Sequence, residues 1–173
     1  MGNEQSQILE VLQMAIQMEI DGKAFYQKVS RESEHEMGKR LYATLAEEED
    51  LHRMKFQEIY ENMRKQEAWP SVEFHPNKGK NIQTVFSQAI KEGLKPTTSE
   101  LEAVQKAIEM EAKTYDLYKG QIDTGSSKPQ KEFFEALAGE ERGHQLALVD
   151  YQEYLNNPAG YFVMKERHSL DGG

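Results

Sequence analysis

The chain contains no cysteine. That absence excludes disulfides, thiol nucleophiles, zinc-thiolate sites and cysteine-held iron–sulfur clusters, so any metal must be held by carboxylate and imidazole. No apolar run reaches the ~18 residues that a membrane-spanning helix needs, and the opening MGNEQSQ has neither the basic nor the hydrophobic part of a secretion signal. The expectation is a cytoplasmic protein with no membrane association. Basic clusters are lacking too. Thirty acidic residues against 21 basic ones leave a net charge of -9, and an acidic surface repels phosphate, which argues against nucleic acid as a partner. At 173 residues the chain is long enough for one domain with a real core.

What is present is a motif stated twice. The stretch Leu45 to His52 reads LAEEEDLH, and the stretch Leu137 to His144 reads LAGEERGH, with no gap at an offset of 92 (from Glu49 to Glu141). The same offset pairs Ala15, Ile16, Met18, Glu19 and Tyr26 with Ala107, Ile108, Met110, Glu111 and Tyr118. Each half therefore has one isolated glutamate followed by a Glu-x-x-His, and residues three apart in a helix point the same way.

Apolar residues spaced at three and four predict helices at about 5–31, 36–64, 99–122 and 128–155. Ser33-x-x-Glu36 and Ser127-x-x-Gln130, the latter with Pro129 in the first turn, are expected to start the second and fourth. The stretch 65–98 breaks at Trp69, Pro70, Pro76 and Gly79 and offers one short amphipathic piece from Ile82 to Ile90, so it reads as a long crossover with one small helix. The expected architecture is all-α: a four-helix bundle over 1–158 made of two repeated helix pairs, and a tail over 159–173. Such a crossover is also long enough for the two halves to exchange between subunits.

Glu19, Glu49, His52, Glu111, Glu141 and His144 all fall within otherwise apolar rows. Burying an unpaired carboxylate costs several kcal/mol, so four of them in one core need counter-charge. Two divalent cations would balance four carboxylates and two neutral imidazoles. Lone glutamates on two helices and Glu-x-x-His on two others is the general ligand pattern of di-iron and di-manganese carboxylate bundles. The oxygen-rich, nitrogen-poor, sulfur-free set suits two ions of iron (Fe(II)/Fe(III)) or manganese, with zinc as a further possible occupant. Glu49 and Glu141 are expected to bridge, with Glu19 and His52, and Glu111 and His144, closing the two ends, while the sequence leaves open which terminal carboxylate serves which metal. Tyr26 and Tyr118 each lie two helical turns after a lone glutamate, where a hydroxyl can bond a ligand carboxylate of the facing helix.

With these residues in hand the chain resembles the rubrerythrin family of the ferritin-like superfamily, over roughly Gln5 to Leu155. The resemblance implies a ferritin-like fold and a non-haem di-iron oxidoreductase that reduces hydrogen peroxide, commonly as a homodimer with exchanged helix pairs. Full-length members carry a cysteine-ligated rubredoxin domain. Without cysteine this chain would take electrons from an external partner, a rubredoxin-like protein or a flavin/NADH reductase. The family also places a further glutamate three residues after the third-helix ligand, where an iron changes ligand with oxidation state, and here that position is Thr114. The alternatives are a ferroxidase that handles iron and a stress protein whose metal is structural.

Overall fold

The computed structural model of the protein describes residues 2–66, 69–70, 99–158 and 160–161. They form four long helices: α1 (Gly2–Glu32), α2 (Glu36–Gln66), α3 (Ser99–Thr124) and α4 (Lys128–Asn156). No strand occurs among the described residues. The helices run one to three residues beyond the apolar rows at several ends, because periodicity marks only the turns that bury a face and polar turns carry the helix on. None of them is long and apolar enough to cross a membrane. The short helix expected within 82–90 lies outside the described residues, as does the tail beyond Tyr161.

The turns are chemically specified. Ser127 is extended (φ -132, ψ 153), its Oγ accepts from the Gln130 amide at 3.4 Å, and Pro129 occupies the first turn of α4, where its missing N–H costs nothing. At the other end of α4 the Asn157 amide donates to the Glu153 carbonyl at 3.0 Å. The α1–α2 turn corrects the expected capping box. Ser33 Oγ accepts from the His35 amide at 3.2 Å, and its hydroxyl donates to the carboxylate of Glu100 on α3, while Glu36 pairs with Arg40 at 3.0 Å. Glu100 is 3% exposed and also accepts from the Tyr151 hydroxyl. This polar knot requires Gly38, since a Cβ there would meet Glu100 Oε1 and Ser33 Oγ at 2.5 Å.

The three-residue turn folds α2 back along α1, and the turn at 125–127 does the same for α4 and α3, giving two hairpins. Each hairpin alone would leave its inner row in water, so the two rows close on each other. The result is two apolar clusters. One is built around Tyr26, Leu41, Tyr42, Leu45, Leu148 and Tyr151. The other is built around Leu12, Phe56, Ile59, Tyr118, Phe134 and Leu137, with Trp69 against Phe133 and Phe134 at 5.7 and 5.8 Å between ring centres. A fully buried Leu or Phe is worth ~1.5–3 kcal/mol, so these clusters can offset the cost of the charged layer that the chain places between the lone-glutamate and Glu-x-x-His positions.

Candidate metal centre

The helical repeat brings one residue set from each helix into that layer: Glu19 from α1, Glu49 and His52 from α2, Glu111 from α3, and Glu141 and His144 from α4. All six are at most 4% exposed. Ligand-type atoms of Glu49, Glu111, Glu141 and His144 lie within 4.8 Å of one another, as do those of Glu19, His52 and Glu141. Glu141 belongs to both groups. His52 Nδ1 is 3.7 Å from Glu19 Oε2 and 3.1 Å from Glu141 Oε1, and His144 Nδ1 is 3.5 Å from both Glu111 Oε2 and Glu49 Oε1. The imidazoles are near-parallel, 5.7 Å apart at 10°.

Four further side chains bond four of these six, each from the opposite hairpin. The Tyr26 hydroxyl of α1 donates to Glu111 Oε1 of α3, and the Tyr118 hydroxyl of α3 donates to Glu19 Oε1 of α1. Burial first, then the neighbouring carboxylates Glu111 and Glu49 for Tyr26 and Glu19 and Glu141 for Tyr118, push both phenols far above their ordinary range. Both therefore stay neutral donors. His52 Nε2 meets Glu140 Oε2 at 3.2 Å and His144 Nε2 meets Glu48 Oε2 at 2.8 Å. A carboxylate only accepts, so each Nε2 carries a proton, and a cation in the layer would displace the second proton and take the Nδ1 lone pair.

Glu48 and Glu140, 5% and 4% exposed, received no role in the reading of the sequence. Their signal was present as the doubled Glu-Glu before each x-x-His. Thr114 is 9% exposed, and its hydroxyl donates to the Met110 carbonyl of its own helix at 3.1 Å.

Electrostatics divide the four inner glutamates into two kinds. Burial, then the charges of Glu19 and Glu111, raise Glu49 well above the usual carboxylate range, and burial with the Glu111 charge does the same to Glu141. For Glu19, burial pushes upward but the adjoining Glu49 carboxyl, His52 and the Tyr118 hydroxyl outweigh it, and the group ends below its ordinary value. Glu111 follows the same course through His144, Glu141 and Tyr26. Burial lowers the two histidines, yet Glu140, Glu141 and Glu19 around His52, and Glu111, Glu48 and Glu49 around His144, raise both well above the ordinary imidazole range. Protons on Glu49, Glu141 and both imidazoles thus neutralise the layer, and two divalent cations would neutralise it equally.

The residues fit such cations on the geometry of their own atoms. Glu19 Oε2, Glu49 Oε1, Glu111 Oε2, both carboxylate oxygens of Glu141 and His144 Nδ1 are buried and make no hydrogen bond. Orphaned buried polar atoms are costly, and these converge on one place. A family model described as Rubrerythrin matches residues 10–151. The chain belongs to the rubrerythrin family. Neither a curated protein nor a solved structure matches it. Rubrerythrin-family proteins are di-iron proteins of the ferritin-like helical class, and this chain presents the buried glutamate and histidine groups able to hold metal.

Proposed function

We propose that the chain is a di-iron oxidoreductase that reduces hydrogen peroxide, or dioxygen, with electrons delivered by an external donor. The observation that carries this reading is the convergence of orphaned carboxylate and imidazole atoms in one buried layer. Glu19, Glu49, His52, Glu111, Glu141 and His144 would together hold two iron ions. Iron held there would supply two reducing electrons, and peroxide with two electrons and two protons gives two molecules of water.

The chain's own residues set the conditions for that chemistry. Tyr26 and Tyr118 hold Glu111 and Glu19 by one oxygen each and leave the other oxygen, Oε2, free to face the layer. Glu48 and Glu140 fix the orientation of His144 and His52 and make their Nδ1 atoms better donors to a cation. The two apolar clusters exclude bulk water from both ends of the layer, which strengthens every charge interaction within it. A rubredoxin-like protein or a flavin/NADH reductase is the class of donor proposed, because a chain without cysteine has no thiolate-held iron of its own to relay electrons.

The test is to load the anaerobic protein with two Fe(II) per chain and mix it with one equivalent of peroxide. The near-ultraviolet absorbance of an oxo-bridged diferric centre should grow faster with peroxide than with dioxygen. Faster reaction with dioxygen, or release of iron as ferric hydroxide, would replace this reading with ferroxidase or oxidase work. Thr114→Glu adds the carboxylate that the wider family pattern places there and should raise the peroxide rate. An unchanged rate would mean that the threonine does not limit it.

A further inference from the structure

On the outer side of the α1–α2 hairpin lies a groove of about 690 Å³, lined by Lys23 and Arg31 of α1 and by Ala43, Ala46, Asp50 and Leu51 of α2, among others. Lys23 Nζ and Asp50 Oδ1 pair across it at 2.9 Å. Gly22, the neighbour of Lys23, is buried in the seam between the helices, and a Cβ at Gly22 would lie 3.2 Å from Glu49 Oε2. Glu49 is in turn the neighbour of Asp50. Between the groove and a carboxylate of the metal layer, the seam therefore holds Gly22 and Ala46, neither of which has anything beyond a Cβ.

The repeat supplies an internal control. At an offset of 92, Thr114 stands for Gly22, Tyr115 for Lys23 and Ala138 for Ala46. The Thr114 hydroxyl is tied to the Met110 carbonyl at 3.1 Å. Tyr115 packs against the apolar cluster, with Lys119 Nζ 5.6 Å from its ring centre. The α3–α4 seam thus has a threonine and an aromatic ring where the α1–α2 seam has a glycine and a lysine.

Resting on the peroxide reading above, we propose that small neutral molecules such as peroxide and dioxygen reach the metal layer through the α1–α2 seam, past Gly22 and Ala46, beneath the Lys23–Asp50 pair. The same Asp50 Oδ1 is also held by Arg53 Nε of its own helix at 2.8 Å, so Lys23 is the member that swings aside. Its side chain is 33% exposed, and rotamer changes of such a chain take picoseconds to nanoseconds, too fast to limit turnover. Leu51, 60% exposed, stands at the mouth.

The probe is nitric oxide, a small neutral ligand of Fe(II), mixed with the anaerobic Fe(II)-loaded protein and followed by stopped-flow absorbance. Ala46→Leu, which fills the seam, should slow nitric oxide association about tenfold without changing iron stoichiometry, the size of effect expected for a gating residue away from the chemistry. Ala138→Leu, its counterpart in the other hairpin, should leave the rate within about twofold, since no traffic passes there. An unchanged rate in Ala46→Leu, or equal slowing in both, would overturn the proposal. Should Ala46→Leu fail to fold, Lys23→Ala decides: removing the strap should speed association, and an unaltered rate would overturn the proposal just as well. A protein whose nitric oxide binding responds to Ala46 but which leaves peroxide unconsumed would keep the passage and remove the peroxide reading. A wild-type chain that binds no iron would overturn both.

Discussion

The two hairpins agree where they face the metal layer and differ where they face outward. Glu19, Glu48, Glu49 and His52 have identical counterparts in Glu111, Glu140, Glu141 and His144, whereas Glu47, Asp50 and Leu51 are replaced by Gly139, Arg142 and Gly143. The inner agreement gives each half the same set: one lone carboxylate, one Glu-x-x-His pair, and one outer carboxylate bonded to the imidazole opposite. Outer positions answer only to solvent and neighbours. Buried pairs of the apolar clusters differ as well, as Tyr42 and Phe134 do, but Gly22 and Thr114 differ on the lone-glutamate helices within one turn of Glu19 and Glu111.

The strongest way to break the equivalence is at the shared carboxylates. Glu49→Ala and Glu141→Ala should each reduce iron from two equivalents to below one, because Glu141 belongs to both groups of ligand atoms and Glu49 adjoins Glu19 as well as His144. Iron analysis after gel filtration checks this, and full stoichiometry in either variant would contradict bridging. Next come the outer carboxylates. Glu48→Gln and Glu140→Gln keep the shape but remove the charge behind a histidine, and should each weaken metal affinity ~10–100-fold. Competition with a chelator of known affinity would reveal any inequality between the hairpins.

The pH dependence of stability comes third. Glu49 and Glu141 are raised above their ordinary value of 4.5 and the two histidines above 6.5, so their stabilising contribution is complete below those values and is lost as pH rises through the raised ones. Glu19 and Glu111 are lowered, so theirs is present above 4.5 and lost as pH falls. The chelator-treated protein should therefore melt at progressively lower temperature from mildly acidic to mildly alkaline pH. The metal-loaded protein should show the opposite slope, because cations replace those protons. Calorimetry with and without metal checks it, and parallel slopes would contradict cation binding at these groups. The smallest effect is expected at the tyrosines. Tyr26→Phe and Tyr118→Phe each remove one hydrogen bond to a carboxylate, worth ~1.5–3 kcal/mol, and should do so equally in denaturant titrations.

Most of the layer was legible because the chain writes it twice: a single glutamate in a helix is ordinary, but Glu19, Glu49 and His52 recurring at one offset are not. The apolar rows around Leu12, Leu45, Leu137 and Leu148 likewise announced the helices that carry the site. Glu48 and Glu140 were visible as letters and not as participants. Successive helical residues point about 100° apart, so a face-by-face reading turns them away from the core. Only the packing of α2 against α4 shows that their side chains reach the imidazole of the other hairpin. Ser33 was misplaced for a similar reason, since its partner Glu100 is 67 residues distant and no local pattern advertises it.

The crossing of the tyrosine and outer-carboxylate bonds carries one more consequence. Tyr26 needs a lone glutamate opposite, and Glu48 needs a histidine opposite, but neither bond depends on which polypeptide supplies that partner. Two copies of α1–α2, brought together about a twofold axis, would offer Glu19 to Tyr26 and His52 to Glu48. What specifies the centre is therefore the pairing of like with like, and the covalent link between the halves is incidental to it.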